Sequence, residues 1–198
     1  MSNGDVSQGR RRFLIGATSV VGGVGVVGAA VPFVASWNPS AKAEAAGAPV
    51  TVNVSKLEPG QQITVEWRGK PVWLIRRTEE MLANIKKQND RVKDPESAEA
   101  SQQPGYITGE FRSLKPELVV LVGLCTHLGC VPSYRPEVAA ADLGGDWLGG
   151  LFCPCHGSKY DLAGRVYDSQ PAPSNLEVPP YRYENDATVT IGLDPETV

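Results

Sequence analysis

The chain has 198 residues, 41% of them hydrophobic and 21% charged, with a formal net charge of −3. That length leaves room for one membrane segment and one soluble domain of ordinary size. The mild charge and the lack of any long basic stretch exclude a nucleic-acid-binding role.

Residues 1–12 form a basic N-terminus in which Arg10, Arg11 and Arg12 outweigh Asp5. From Phe13 to Trp37 no residue is charged. As a helix this run spans roughly 38 Å against about 30 Å of bilayer hydrocarbon, so residues 13–37 are expected to be a transmembrane anchor. Its glycines, among them Gly22, Gly23 and Gly25, weaken a helix in water but are tolerated in lipid. Arginines ahead of the run place the N-terminus in the cytoplasm. Arg10-Arg11-Arg12-Phe13-Leu14 also resembles a twin-arginine export signal, a route that carries folded proteins. A cleaved secretory signal is the competing reading, but the apolar run is longer than such signals use. The expectation is an uncleaved single-pass anchor in a bacterial inner membrane, with the C-terminal domain in the periplasm, where a disulfide persists.

Residues 38–49 read as a flexible hinge linker. Ala41 to Ala46 suits a helix or an extended chain, and the two differ in reach by roughly 11 Å. Residues 50–198 then follow a mainly two-residue period. Val50 to Val54 alternates. Gln62 to Trp67 and Pro71 to Ile75 flank Arg68-Gly69-Lys70 as a hairpin. Thr78 to Asn89 reads as a short helix, with Thr78 as cap, Glu79 and Glu80 at its start, and Lys86 and Lys87 at its end. Residues 90–105 are polar and irregular. Leu118 to Leu124 suits a buried strand, and Tyr181 to Tyr183 and Ala187 to Ile191 suit late strands. No internal repeat is evident. The expected fold is mainly β: one transmembrane helix, then an antiparallel β domain with an inserted short helix and a small subdomain at about 120–175.

That subdomain holds all four cysteines and both histidines of the chain. They fall in two boxes, Cys125-Thr126-His127-Leu128-Gly129-Cys130 and Cys153-Pro154-Cys155-His156-Gly157-Ser158. Soft ligands confined to two loops point to a metal. Zinc is one candidate. Its usual Cys-x2-Cys knuckles are missing, however, and six donors exceed a four-ligand site.

The boxes resemble, residue for residue, those of the Rieske [2Fe–2S] family. The resemblance implies one [2Fe–2S] cluster, with Cys125 and Cys153 on one iron and His127 and His156 on the other. It further implies a Cys130–Cys155 disulfide tying the loops together. By the same resemblance Ser158 donates to a bridging sulfide and Tyr160 to the sulfur of Cys125, both favouring the reduced state. Histidine ligation implies a potential between about −150 and +300 mV, in its upper part when both hydroxyls are present. A cluster imidazole is then expected to couple proton to electron transfer.

Residues 66–78 and 175–181 are similar to the bacterial cytochrome bc1 Rieske subunits. Pro171-Ala172-Pro173 matches that family's proline-rich cover over the cluster, except that Gln170 stands where many relatives have glycine. No catalytic domain follows the boxes, which suits an electron-transfer subunit. The implied function is to take one electron, and a proton through a cluster histidine, from ubiquinol at cytochrome b and to pass the electron to cytochrome c1. The implied setting is a dimeric multi-subunit complex, with Leu128, Pro171 and Pro173 as docking contacts. The alternative is a redox subunit of another exported Rieske-containing oxidoreductase, such as arsenite oxidase.

Overall fold

The computed structural model describes residues 7–195; the ends of the expected N-terminal segment and of the β domain, residues 1–6 and 196–198, lie outside it. Two compact units meet between Ala45 and Ala46.

The first unit is led by α1 (Gln8–Ala35), whose N-cap Ser7 accepts the Arg10 N–H. It starts at Gln8, ahead of Arg10, Arg11 and Arg12, because serine is a good cap and arginine a good helix former. No residue of α1 is buried, and it is long and apolar enough to cross a membrane. Its outward phenylalanines and valines suit a lipid surround rather than a water-facing one. The alanine-rich stretch after it is helical, as α2 (Ala41–Gly47).

In the second unit the described residues form three antiparallel sheets of three strands each. The first joins the start of the domain to its end: β1 (Val50–Asn53), β8 (Tyr181–Asn185) and β9 (Thr188–Ile191), with β9 central and Val50 opposite Ile191. The second contains β2 (Gln62–Trp67), β3 (Lys70–Arg76) and β4 (Leu118–Val122) in that order. Lys70 already pairs with Trp67, so the hairpin turn is the two residues Arg68 and Gly69. Every residue of β4 is buried, which explains its unbroken apolar sequence. Each such side chain contributes about 1.5–3 kcal/mol on leaving water.

The third sheet is the platform for the two boxes. It consists of β5 (Ser133–Arg135), β6 (Gly150–Phe152) and β7 (Lys159–Tyr160). These strands are too short to leave a periodic signal in the sequence. A Cβ at Gly150 would overlap the backbone carbonyl of Tyr160, so only glycine lets β6 and β7 meet here.

The inserted helix is α3 (Glu79–Lys86), capped by Thr78, whose Oγ1 accepts the Met81 N–H at 3.2 Å. It ends short of the expected Asn89. Ile85 on its inner face is fully buried in one cluster with Leu162 and Ala163.

Candidate metal centre

The two boxes are one backbone motif built twice. In the first, the Cys125 N–H donates to the Cys130 carbonyl at 2.7 Å, and the Gly129 N–H donates back to the Cys125 carbonyl at 2.9 Å. In the second, the Cys153 N–H donates to the Ser158 carbonyl at 2.8 Å, and the Gly157 N–H donates to the Cys153 carbonyl at 2.9 Å. Gly129 and Gly157 both have φ of +79°, a left-handed turn that a side chain would strain. The two loops therefore share one backbone turn. The likeness is faint in the sequence because only the leading cysteine and the glycine coincide between the boxes.

β4 delivers the first loop and β6 the second, and this places the donors by depth. Cys125 and Cys153 are free thiols buried in the main hydrophobic core. His127 is half-buried and His156 exposed, and their rings meet edge to face with centroids 4.7 Å apart. Cys130 and Cys155 form the expected disulfide across the loops. The sulfurs of Cys130, Cys153 and Cys155 lie within 4.8 Å of one another, but the disulfide occupies two of them. Six possible donors thus become four, two thiols and two imidazoles.

Two hydroxyls lie close to the inner thiols. Tyr160 Oη lies 3.1 Å from Cys125 Sγ and accepts the Thr126 N–H at 3.2 Å. The Thr126 hydroxyl spends its proton on the Ser174 carbonyl at 2.7 Å. The Tyr160 proton then has two acceptors within reach, the Cys125 sulfur at 3.1 Å and the Thr126 hydroxyl oxygen at 3.3 Å. Ser158 is fully buried, and its Oγ accepts the Ala172 N–H at 3.1 Å, so its proton too is available. Burial pushes both thiols up; at Cys125 the donors, led by the Tyr160 hydroxyl and the His127 N–H, outweigh it and the net shift is downward. At Cys153 burial wins and the shift is upward. Burial, then the neighbouring Cys125, raises Tyr160, which stays a protonated donor.

One atom tests whether a metal suits this place. His127 Nδ1 is buried with no hydrogen-bond partner. A buried unpartnered nitrogen costs on the order of 1–3 kcal/mol. A bound metal would remove that cost, so the residues fit one.

The rim is apolar. Leu128 is 71% exposed. Pro171 and Pro173 are exposed on either side of buried Ala172. Gln170 is accommodated without a positive φ.

Three buried arginines beneath the site were not anticipated. They grip the turn after β7. Arg77 donates to the Leu162 carbonyl at 3.3 Å. Arg112 donates to those of Ala163, Gly164 and Leu176 at 3.2, 3.3 and 2.7 Å. Arg165 pairs with fully buried Asp161 at 2.8 Å. Burial lowers Arg77 and Arg112 to about 10, still charged at neutral pH. The only readable hint is the spacing of Asp161, Gly164 and Arg165, which is turn-like; nothing in the sequence marks Arg77 or Arg112 as buried.

A β domain ending in twin loops, with paired thiols inside and paired imidazoles outside, is of the Rieske type. Residues 48–181 match the family model described as "Rieske [2Fe-2S] domain", and residues 1–40 match "Ubiquitinol-cytochrome C reductase Fe-S subunit TAT signal". The ubiquinol-cytochrome c reductase iron-sulfur subunit of Allochromatium vinosum is 56% identical over 98% of this chain and 93% of its own. That of Rhodospirillum rubrum is 46% identical over 92% and 91%. A solved chain titled "Hyperthermophilic respiratory Complex III" is 29% identical, covering 89% of this chain and 98% of its own, with a TM-score of 0.48. The chain belongs to the Rieske iron–sulfur subunits of ubiquinol-cytochrome c reductase, the cytochrome bc1 complex. This membership replaces both the arsenite-oxidase-type reading and the zinc reading.

Proposed function

We propose that Cys125, Cys153, His127 and His156 hold one [2Fe–2S] cluster, the thiolates on the inner iron and the imidazoles on the outer. The observation that carries this is the sorting of donors by depth, together with the buried, unpartnered Nδ1 of His127. Such a cluster supplies reversible one-electron transfer when bound.

The chain's own residues do the rest. Tyr160 and Ser158 keep hydroxyl protons for sulfur, which favours the more negative, reduced state. With Nδ1 of His127 turned inward, the opposite ring nitrogen is the one that meets a quinol hydroxyl and takes its proton. Leu128, Pro171 and Pro173 form an apolar rim for a docking partner to cover and keep dry. In this reading the domain takes an electron from ubiquinol at cytochrome b and delivers it to cytochrome c1, within a dimeric multi-subunit complex. Residues 13–37, which take in most of α1, anchor it in a bacterial inner membrane. Residues 38–49 serve as the hinge, and residues 50–198 lie in the periplasm with the cluster-binding part at about 120–175.

Redox-titrated EPR on the subunit purified from membranes, with iron and acid-labile sulfide analysis, tests the core of this. The expected result is iron and sulfide in equal amounts and the signal of a histidine-ligated centre on reduction. Zinc in place of iron would overturn it. Prolines placed at 41–46 should slow turnover without changing that signal; unchanged turnover would make the linker a passive spacer.

A further inference from the structure

β7 pairs with β6 on one side, and on the other it meets residues 165–167 through a short antiparallel bridge of Tyr160 to Val166. The N–H and carbonyl of one strand residue point to the same side, and those of Lys159 point away from β6. The carbonyl accepts the Tyr167 N–H at 3.1 Å. The N–H donates to a side chain, Gln170 Oε1, at 3.1 Å. The carboxamide thus stands where the carbonyl of a further strand would be. Its other end donates to the Asp168 carbonyl at 3.3 Å, which fixes the way the amide faces. Two residues on, the Ala172 N–H donates to Ser158 Oγ. Residues 170–172 therefore cross residues 158–159 on two rungs, one to the serine hydroxyl and one to the peptide that follows it.

We infer that Gln170 is a positioning residue: its side-chain carbonyl holds the peptide between Ser158 and Tyr160 and so aims the Ser158 hydroxyl at the sulfur of the centre. This rests on the reading of Ser158 as a sulfur donor given above. Lys93 makes a useful contrast. Its Nζ donates to the Pro173 carbonyl at 2.9 Å, so it holds the same segment by a hydrogen bond to a different residue.

The test is the midpoint potential and reduced EPR spectrum of the full chain in its membrane complex. Four variants are compared: Gln170→Met, Ser158→Ala, the two combined, and Lys93→Met. Gln170→Met should lower the potential, by less than Ser158→Ala does. The double variant should match Ser158→Ala alone, because one residue acts through the other. Lys93→Met should leave the potential in place. An unchanged potential in Gln170→Met, additive shifts in the double variant, or an equal shift in Lys93→Met would overturn the inference while leaving Ser158 as a donor. No shift in Ser158→Ala would sink the donor reading itself and this inference with it. If Gln170→Met assembles no centre, Gln170→Gly carries the same comparison. If neither assembles one, Gln170 is a folding residue and the inference falls.

Discussion

The loops 125–130 and 153–158 share their backbone hydrogen bonds and their glycine geometry, yet they are held in place differently. The first is held from inside: Tyr160 meets both Cys125 and Thr126, and Thr126 reaches Ser174. The second, with Pro154, Cys155 and His156 all exposed, is held by Ser158 below and by the disulfide across its tip. Equal backbones with unequal fastening show a cradle that is one unit of structure, joined by the disulfide, whose halves rest on different side chains.

The largest expected effect tests the platform beneath both loops. Gly150→Ala forces a Cβ onto the Tyr160 carbonyl, where neither backbone yields. It should cost at least about 3 kcal/mol, the upper end of overpacking penalties, seen as a lowered melting temperature and loss of the centre. Next comes the fastening of the second loop. Cys155→Ala opens a cross-link spanning a separation of 25 residues, worth about 3 kcal/mol in the chain-entropy picture. The four proposed ligands stay in place, so the centre should form but be lost sooner on heating. Complete failure to assemble, with a stable apoprotein, would mean that the ligand set is misassigned.

The equivalence of the two turns can be broken directly. Gly129 and Gly157 share a φ of +79°, and each has open space where a methyl group would stand. Alanine at either should cost about the same, about 1 kcal/mol. Clearly unequal losses in thermal melts would show that the two turns are not the same structure.

Tyr160→Phe addresses the inner fastening. It removes a hydrogen bond worth about 1 kcal/mol, or about 40 mV for one electron. The midpoint potential should fall with the centre retained, and an unshifted potential would dismiss the bond to Cys125.

The smallest effect lies in the segment joining the loops. Arg135 on β5 lowers Asp142 from 3.8 to about 2. A depressed carboxylate stabilises the fold above its unfolded value and stops doing so as pH falls through its folded value. The contribution should therefore fade between about pH 4 and about pH 2, and it is small because the pair faces solvent. Asp142→Asn should flatten that shallow step in melting temperature against pH; an unaltered profile would leave the pair without a role in stability.

Much of this is legible in the residues. The apolar run of β4 and the capped helix behind Thr78 announce themselves through composition and charge order. The boxes concentrate every cysteine and histidine, and the hydroxyls of Ser158 and Tyr160 follow from resemblance. β5, β6 and β7 are not legible, since two or three residues carry no period. Nor are Arg77, Arg112 and Arg165, because a buried arginine is made possible by backbone carbonyls that only the folded chain brings together. Gln170 belongs with them: its partner is a peptide N–H, which every sequence has and no sequence displays.

The exposure of the Cys130–Cys155 bridge sets an order of access. Cys155 lies open to solvent while Cys125 and Cys153 are shut in the core. A reducing agent in solution therefore meets the staple at the surface, whereas thiol-modifying reagents find Cys125 and Cys153 shielded until the loops open.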